Sequence, residues 1–453
     1  MAVTQSAPVA ETVAHEGILR RQSARESAAR TYARALPIVP VRARGLTVEG
    51  ADGRRYLDCL SGAGSLALGH NHPVVLTAVR EVLDSGAPLH VLDLATPVKD
   101  AFTTELFHTL PSGLAEHARI QFCGPAGTDA VEAALTLVRL ATGRGTMLSF
   151  TGAHHGMTAG ALGLSGGARE VTAHRLPFPQ DYRCPFGTGG SRGAELAARW
   201  TENLLDDGKS GLPSPAGMIL EPVQGEGGVI PAPDDWLRRM RELTAARGIP
   251  LIADEVQTGV GRTGAFWGVD HSGTVPDVMV MSKAIGGSLP LAVIVYHEDL
   301  DVWPAGAHAG TFRGNQLAMA AGAATLAHVR EHRLAERAAV LGARMIGQLQ
   351  GLAAEHPCIG DVRGRGLMIG VEFVDPEAHG TATPGPPPAA PVLAAAVQRA
   401  CLQRGLIVEL GGRHTSVLRL LPPLTITDEQ ASAVLDRLAD AISAASSSHP
   451  HRA

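Results

Sequence analysis

Of the 39 basic residues in this chain only three are lysines, Lys99, Lys209 and Lys283, so each lysine asks for a reason that arginine would not serve. Lys283 follows the apolar run VMVMS and precedes AIGG, where a parallel strand ends and its last side chains open toward a ligand crevice. An amine held away from water there loses part of its hold on a proton and becomes a nucleophile toward carbonyl carbon, which is what Schiff-base chemistry requires. An isolated lysine is more often a surface residue whose stem lies along apolar neighbours. Lys99 and Lys209, in polar surroundings, read that way; Lys283, at a strand mouth in a lysine-poor chain, does not.

Asp254 closes a second apolar strand, PLIAD. Its carboxylate has two readings: a cap for the following turn, or a partner that keeps a pyridinium nitrogen protonated so that the ring accepts carbanion electrons. A lysine and an aspartate on one sheet edge make the minimal pair for pyridoxal 5'-phosphate. Gln257, about one turn further on, is placed to donate to the ring hydroxylate. The loop GPAGTDAVEAAL sets Gly127 and Thr128 at a helix N-terminus, where free N–H groups and the helix dipole hold a phosphate. Alone, that pattern is an ordinary cap, just as QGEGG and GVGRTG alone are ordinary turns.

The elements that must position these residues follow from periodicity. Between about Ile120 and Tyr296, short apolar runs (IQFCG, TMLSFTG, MIL, PLIADEV, VMVMSKAI, LAVIVY) alternate with helical patterns, which reads as α/β with a mostly parallel sheet. TDAVEAALTLVRLATGRG sets Val131, Ala134, Leu135 and Val138 on one face, with Thr128 as N-cap and Gly143 as stop; DDWLRRMRELTAARG is capped by Asp234 and ended by Gly248. Both are expected to be crossover helices. From about Leu317 a long helical pattern, a strand-like VRGRGLMIGVEFV, the Pro-rich GTATPGPPPAAP, another helix and a final strand VLRLL make a smaller α/β unit, completed by N-terminal strands around Pro40 to Leu60. The Pro-rich stretch reads as a surface loop without chemistry, and both chain ends read as frayed.

Composition narrows the class. A chain of 453 residues exceeds a single core and predicts two domains. Hydrophobic residues at 45%, charged residues at 18% and a net charge of −5 describe a soluble globular enzyme, with no basic run for nucleic acid. Cys59, Cys123, Cys184, Cys358 and Cys401 are scattered without a C-x-x-C pair, which argues against a disulfide framework or a metal site and for a reducing cytoplasm. The N-terminus lacks the pattern of an export signal, and no apolar run is long enough to span a bilayer.

The motifs SGAGSLALGHNHP, GPAGTDAVEAAL, HHGMT, EPVQGEGG, ADEVQTGVGRTG, SKAIGGSLPLAV and HAGTFRGNQLA, in this order over residues 25–440, resemble the class III (fold type I) aminotransferases. Within that class ESAARTYARALP and GAHAGTFRGNQLAMAAG look most like diaminobutyrate:2-oxoglutarate aminotransferases, with ectoine-pathway members as near cousins. The resemblance implies a large domain with a mostly parallel seven-stranded sheet and a smaller α/β domain. The boundaries expected are a flexible tail over 1–24, small-domain residues 25–75, the large domain over 76–325, the small domain over 326–445 with a loop at 380–391, and a tail over 446–453.

By position, the resemblance implies that Lys283 holds the cofactor covalently, Asp254 binds its ring nitrogen, and Ala126, Gly127 and Thr128 hold its phosphate. Thr311 would complete that phosphate site across a homodimer with shared active sites. Arg419 would bind the α-carboxylate of 2-oxoglutarate, Glu226 would cover Arg419 when a carboxylate-free amine enters, and Glu221 and Gln257 would line the pocket. Glu226 read without the family is a solvated loop carboxylate. His154 stands where the family carries Phe or Tyr against the ring, and Ala63 where ornithine-specific members carry an aromatic residue. The implied reaction moves the terminal amine of a diamino acid, L-2,4-diaminobutyrate foremost, to 2-oxoglutarate, giving aspartate 4-semialdehyde and glutamate. Ornithine, acetylornithine and 4-aminobutyrate types, an aminomutase or racemase, and a non-catalytic cofactor-binding regulator stay open at this point.

Overall fold

The computed structural model describes residues 7–166, 173–378 and 385–447. Its centre is a sheet of seven strands: β1 (Ala118–Phe122), β2 (Met147–Phe150), β3 (Ala173–Leu176), β4 (Gly217–Leu220), β5 (Leu251–Asp254), β6 (Val278–Met281) and β7 (Val293–His297), in the spatial order β1-β7-β6-β5-β4-β2-β3. β5 pairs in parallel with β4 and β6, and β2 in parallel with β3 and β4; β7 alone runs antiparallel to its neighbours. Every residue of β2, β4, β5 and β6 is buried, which is why these strands read as continuous apolar runs: helices cover both faces of the sheet. β3, carried by AHRL, was not visible in the sequence because His174 is exposed and the strand is short.

The crossover helix Gly127–Thr142 buries all four residues expected on its inner face, Val131, Ala134, Leu135 and Val138. Its start corrects the sequence reading: Thr128 lies inside the helix, Ala126 is the N-cap, and the Asp129 carboxylate accepts from the Ala126 N–H at 3.0 Å. An acidic side chain reaching back from the third helical residue does what an N-cap hydroxyl would have done. Gly143 does stop the helix, at φ 66°. Helix Asp234–Ala245 likewise begins at Asp234, with Pro233 as N-cap, and the Asp234 carboxylate is spent on Arg365 at 2.8 Å.

The smaller unit has two four-stranded sheets. In one, Pro40–Arg44, Thr47–Gly50 and Arg55–Asp58 form an antiparallel meander, and Leu406–Ile407 adds in parallel, so strands from the two ends of the chain share one sheet. In the other, the strand-like stretch proves to be a hairpin, Ile359–Arg365 and Met368–Phe373, bent where Gly366 takes φ 54°. Val417–Leu420 pairs with this hairpin and with Glu409–Gly411, setting Arg419 opposite both Gly370 and Glu409. The long helical pattern divides into Gln316–Glu331 and Leu334–Glu355.

Three further expectations change. The residues expected as an N-terminal tail include a helix, Ala7–Arg25. Residues 446–447 finish the helix Asp428–Ser447, while 448–453 lie outside the described residues. Of the 380–391 loop, 380–384 lie outside the described residues; Pro391 opens the helix Pro391–Gln403, where its missing N–H costs nothing, and Ala389 bridges to Val374.

One packing detail reaches the site. Lys283 opens a short 3-10 turn, Lys283–Gly286, and holds φ 52°, a left-handed conformation that side chains rarely adopt. Gly287 closes the turn at φ 55°. Helix Gln316–Glu331 backs the turn closely enough that a Cβ on Gly322 would overlap the Ile285 carbonyl oxygen. Gly322→Ala is therefore expected to lower stability by about 1–3 kcal/mol and to reduce turnover by displacing Lys283. Denaturant melts paired with activity check this; unchanged values in both would show that the helix simply shifts aside.

Candidate active site

The C-terminal ends of β4, β5 and β6 converge on one cavity of about 250 Å³, lined by Glu221, Glu226, Asp254, Val256, Gln257 and Lys283 from these strand ends. Gly127 and Thr128 reach it from a helix N-terminus, His154 and His155 from the loop after β2, and Ala63 and Tyr32 from the N-terminal segment. Parallel strands deliver their last residues to the same edge, so positions scattered from 32 to 283 meet there. Of the residues singled out by sequence, Ala126, Thr311 and Arg419 do not line this cavity. Ala126 is exposed, and its N–H is occupied by Asp129. Thr311 lines a separate cavity with Leu89, Leu92 and Phe312.

Asp254 is 4% exposed and uses both carboxylate oxygens: Oδ1 accepts from the Val256 N–H at 3.1 Å, and Oδ2 lies 2.7 Å from His155 Nδ1. The turn-cap reading of this residue holds, and the same side chain lines the cavity. His155, 3% exposed, had been given no role. Burial pushes its imidazole toward the neutral form, but the hydrogen bond and charge of Asp254 outweigh that and raise its pKa. Burial lowers the Lys283 ammonium, against the opposing pull of Glu226. Lys209 is exposed, as expected; Lys99 is not simply solvated, for its ammonium donates to the Asp93 carbonyl at 2.9 Å and sits 4.8 Å from the Phe122 ring centroid.

Around this centre the loops are tied down. Glu221 accepts from the backbone N–H of His154 and of Gly225, both at 2.9 Å, and so holds the two loops that carry His154 and Glu226. Burial raises its carboxyl to about 7. Gln257 Nε2 donates to the Ala63 carbonyl at 3.0 Å, and a Cβ at Gly225 would push the Gln257 amide aside. Thr128 Oγ1 lies 2.6 Å from Thr158 Oγ1, joining the helix start to the loop after His155.

Arg419 is fully buried, and its Nη2 donates to Glu226 Oε1 at 2.7 Å. Glu226 is thus a partner of Arg419 rather than a solvated loop residue, and its pKa is lowered: the charge of Arg419 outweighs the effect of burial. Nε and Nη1 of Arg419 have no partner, which leaves donors for an incoming carboxylate. Glu409 and Tyr32 also belong to this cluster and were missed. A charge inside the apolar run LIVEL was a usable signal for Glu409; Tyr32 had none.

The donor set fits pyridoxal 5'-phosphate. The cavity offers an amine for the aldehyde, a carboxylate backed by an imidazole for the ring nitrogen, and a helix N-terminus for the phosphate. Gly127 keeps that end open, because a Cβ there would stand 3.1 Å from Val256 Cγ1. The His154 ring, exposed into the cavity, stands where a flat ring needs a stacking surface.

A family profile described as "Aminotransferase class-III" matches residues 28–442. The chain is 55% identical to a diaminobutyrate–2-oxoglutarate aminotransferase of Rhizobium meliloti, covering 94% of this chain and 92% of the relative. It is 45% identical to one of Haemophilus influenzae, with 97% and 98% covered. Among solved structures it is similar to an (S)-enantioselective omega-transaminase from Thermomicrobium roseum, with a TM-score of 0.82, 28% identity and coverage of 95% and 98%. It is also similar to the ornithine aminotransferase of Toxoplasma gondii, with a TM-score of 0.78, 25% identity and coverage of 96% and 95%.

The Glu221 geometry sets an expectation. In Glu221→Gln one amide oxygen must replace two acceptors, leaving a buried N–H short of a partner at a cost of about 1–3 kcal/mol. The wild-type carboxyl is raised to about 7 in the folded protein. Its contribution is therefore full below the unfolded carboxyl pKa and is lost as pH rises through that folded value. The deficit of Glu221→Gln should narrow between about pH 5 and pH 7 and then level off. Urea melts of both proteins across that range test this; a deficit that widens with pH would contradict the buried-carboxyl assignment.

Proposed function

The chain belongs to the class III aminotransferases, which are pyridoxal 5'-phosphate-dependent transaminases, and from that premise we propose that it transfers the terminal amine of L-2,4-diaminobutyrate to 2-oxoglutarate, giving aspartate 4-semialdehyde and glutamate. The observation that carries this reading is the Arg419–Glu226 pair: a buried guanidinium able to bind an α-carboxylate, covered by a carboxylate on a loop. One pocket must take 2-oxoglutarate by its α-carboxylate yet accept a donor whose reacting carbon bears none. A bare buried arginine facing that CH₂ group is costly, so a glutamate that covers it for the donor and leaves it for the acceptor meets both demands. The names of the two relatives support the donor, and so does Ala63 in place of an aromatic wall.

Bound pyridoxal 5'-phosphate supplies an aldehyde that condenses with amines and a ring that takes up the electron pair left when a carbon–hydrogen bond breaks. We assign its phosphate to Gly127 and Thr128, its ring to the space between Val256 and His154, and its ring nitrogen to Asp254. His155 keeps the Asp254 carboxylate oriented. Lys283 would hold the cofactor and, when its Nζ is free, would carry a proton between the two carbons that flank the transferred nitrogen; burial, which lowers its pKa, leaves it able to act as base as well as acid. Glu221 fixes the loops around the reacting atoms and excludes water.

We further read the active assembly as a homodimer in which Thr311 of one protomer reaches the phosphate end of its partner's site. Phe312 is 70% exposed and Leu92 50% exposed beside Thr311, an apolar surface of the kind a second copy covers. A cytoplasmic setting suits the five cysteines, all free. Among the described residues no helix is long and apolar enough to cross a membrane.

The test is a panel of amine donors with 2-oxoglutarate, reading glutamate: L-2,4-diaminobutyrate should lead it, and a reaction needing no 2-oxo acid would point to a mutase instead. Lys283→Ala should lose the borohydride-reducible link to the cofactor and about 10²–10⁴-fold or more in rate; a link that survives removes the lysine assignment. Glu226→Ala should leave Arg419 open, raising kcat/KM for glutamate and other α-amino donors relative to the terminal amine of diaminobutyrate by about tenfold. An unchanged ratio removes the switch and leaves the aminotransferase reading standing.

A further inference from the structure

The loop after β2 touches more of the site than His154 and His155 do. Gly156 turns it at φ 127°, so close to the helix Gly127–Thr142 that a Cβ there would overlap Thr128 Oγ1. Two residues later Thr158 meets the same hydroxyl twice: its backbone N–H donates to Thr128 Oγ1 at 3.1 Å, and its own Oγ1 lies 2.6 Å away. The hydrogens of this pair can be counted. Each hydroxyl has one hydrogen to give and two lone pairs with which to accept. One of the two hydrogens closes the 2.6 Å contact, and among the described residues neither hydroxyl donates to any other protein group. One hydrogen is left over and needs an acceptor. Thr128 lines the Lys283 cavity and Thr158 does not.

We propose that Thr158 is a positioning residue for the cofactor phosphate: its hydroxyl donates to Thr128 Oγ1, which leaves the Thr128 hydrogen to be given to the phosphate. The assignment rests on the reading that places the phosphate at Gly127 and Thr128. With the N–H and the O–H of Thr158 filling both lone pairs of Thr128 Oγ1, the one direction left for the Thr128 hydrogen is toward the cavity. An anionic acceptor there makes the strong, charge-assisted kind of hydrogen bond, beside the free N–H groups of the helix start. A hydroxyl oxygen that is itself accepting is also the better donor, so Thr158 strengthens a contact it does not make. Residues 154–158 thereby hold both ends of the cofactor site, the ring-nitrogen end through His155 on Asp254 and the phosphate end through Thr158 on Thr128.

The experiment measures the equilibrium affinity of the cofactor-free protein for pyridoxal 5'-phosphate and for pyridoxal, which lacks the phosphate, in the wild type, Thr158→Val, Thr158→Ser, Thr128→Val and the double variant. Thr158→Val keeps the shape and the backbone N–H but removes the hydroxyl. It should weaken pyridoxal 5'-phosphate by about tenfold and leave pyridoxal unchanged, while Thr158→Ser stays near the wild type. Because Thr158 acts through Thr128, adding Thr158→Val to Thr128→Val should cost no further affinity. An equal loss in both backgrounds, or an equal loss for pyridoxal, means that Thr158 only props the loop, and overturns the proposal. Thr158→Val with wild-type affinity for both compounds overturns it too. If Thr158→Val does not fold, Thr158→Ala is held to the same outcomes. A Thr128→Val protein that binds both compounds as the wild type does instead removes the phosphate from Gly127 and Thr128, the reading on which the proposal rests.

Discussion

A carboxylate taken out of water must find a partner, and the whole site is arranged around that demand at Asp254. It ends β5 with 4% exposure, and the cost of its charge is met by His155 at 2.7 Å and by the Val256 N–H. Once that pair is in place, the loop after β2 is held against the end of β5, and His154 is carried to the cavity by its neighbour. Glu221 then ties the same loop to the one after β4 through two backbone N–H groups. The cavity wall is thus a chain of satisfied acceptors, and each link positions the next.

The second organising feature is the balance of charge at Arg419. A buried guanidinium with one carboxylate is a closed pair and offers a substrate little. Here two carboxylates share one nitrogen while the other two nitrogens have no partner, so the cluster is not closed. The small unit supplies Arg419 and Glu409, while Glu226 comes from the loop after Val223–Gln224 and Lys283 from the end of β6. The Arg419 cluster accordingly draws on both sheets, and the helix Gln316–Glu331 packs against the Lys283 turn.

The periodicity of the chain was enough to locate six of the seven central strands and the buried face of the Gly127–Thr142 helix, because burial on both sides of a parallel sheet writes itself as continuous apolar runs. Scarcity made Lys283 legible, and strand-end position made Asp254 legible. Local caps were read less well: Thr128 and Asp234 both proved to lie inside their helices, since a cap depends on which acceptor reaches back, and Asp129 does so where Ala126 has nothing to offer. The sequence reading missed β3 for want of an apolar pattern, and the N-terminal helix Ala7–Arg25 because no regular apolar face marks it.

By itself, the sequence determined the class of chemistry, the alternation of elements and the family, since residue type and order carry all three. Only tertiary structure decided that His155 backs Asp254, that Glu221 ties two loops together rather than merely lining the pocket, and that Glu409 and Tyr32 join Arg419. These partners lie tens to hundreds of residues apart in the chain, and what unites them is the strand register that sets Glu409 opposite Arg419 and the convergence of parallel strand ends. A buried charge takes whichever partner the fold brings within reach, and that choice is made in space, where the order of residues has no direct say.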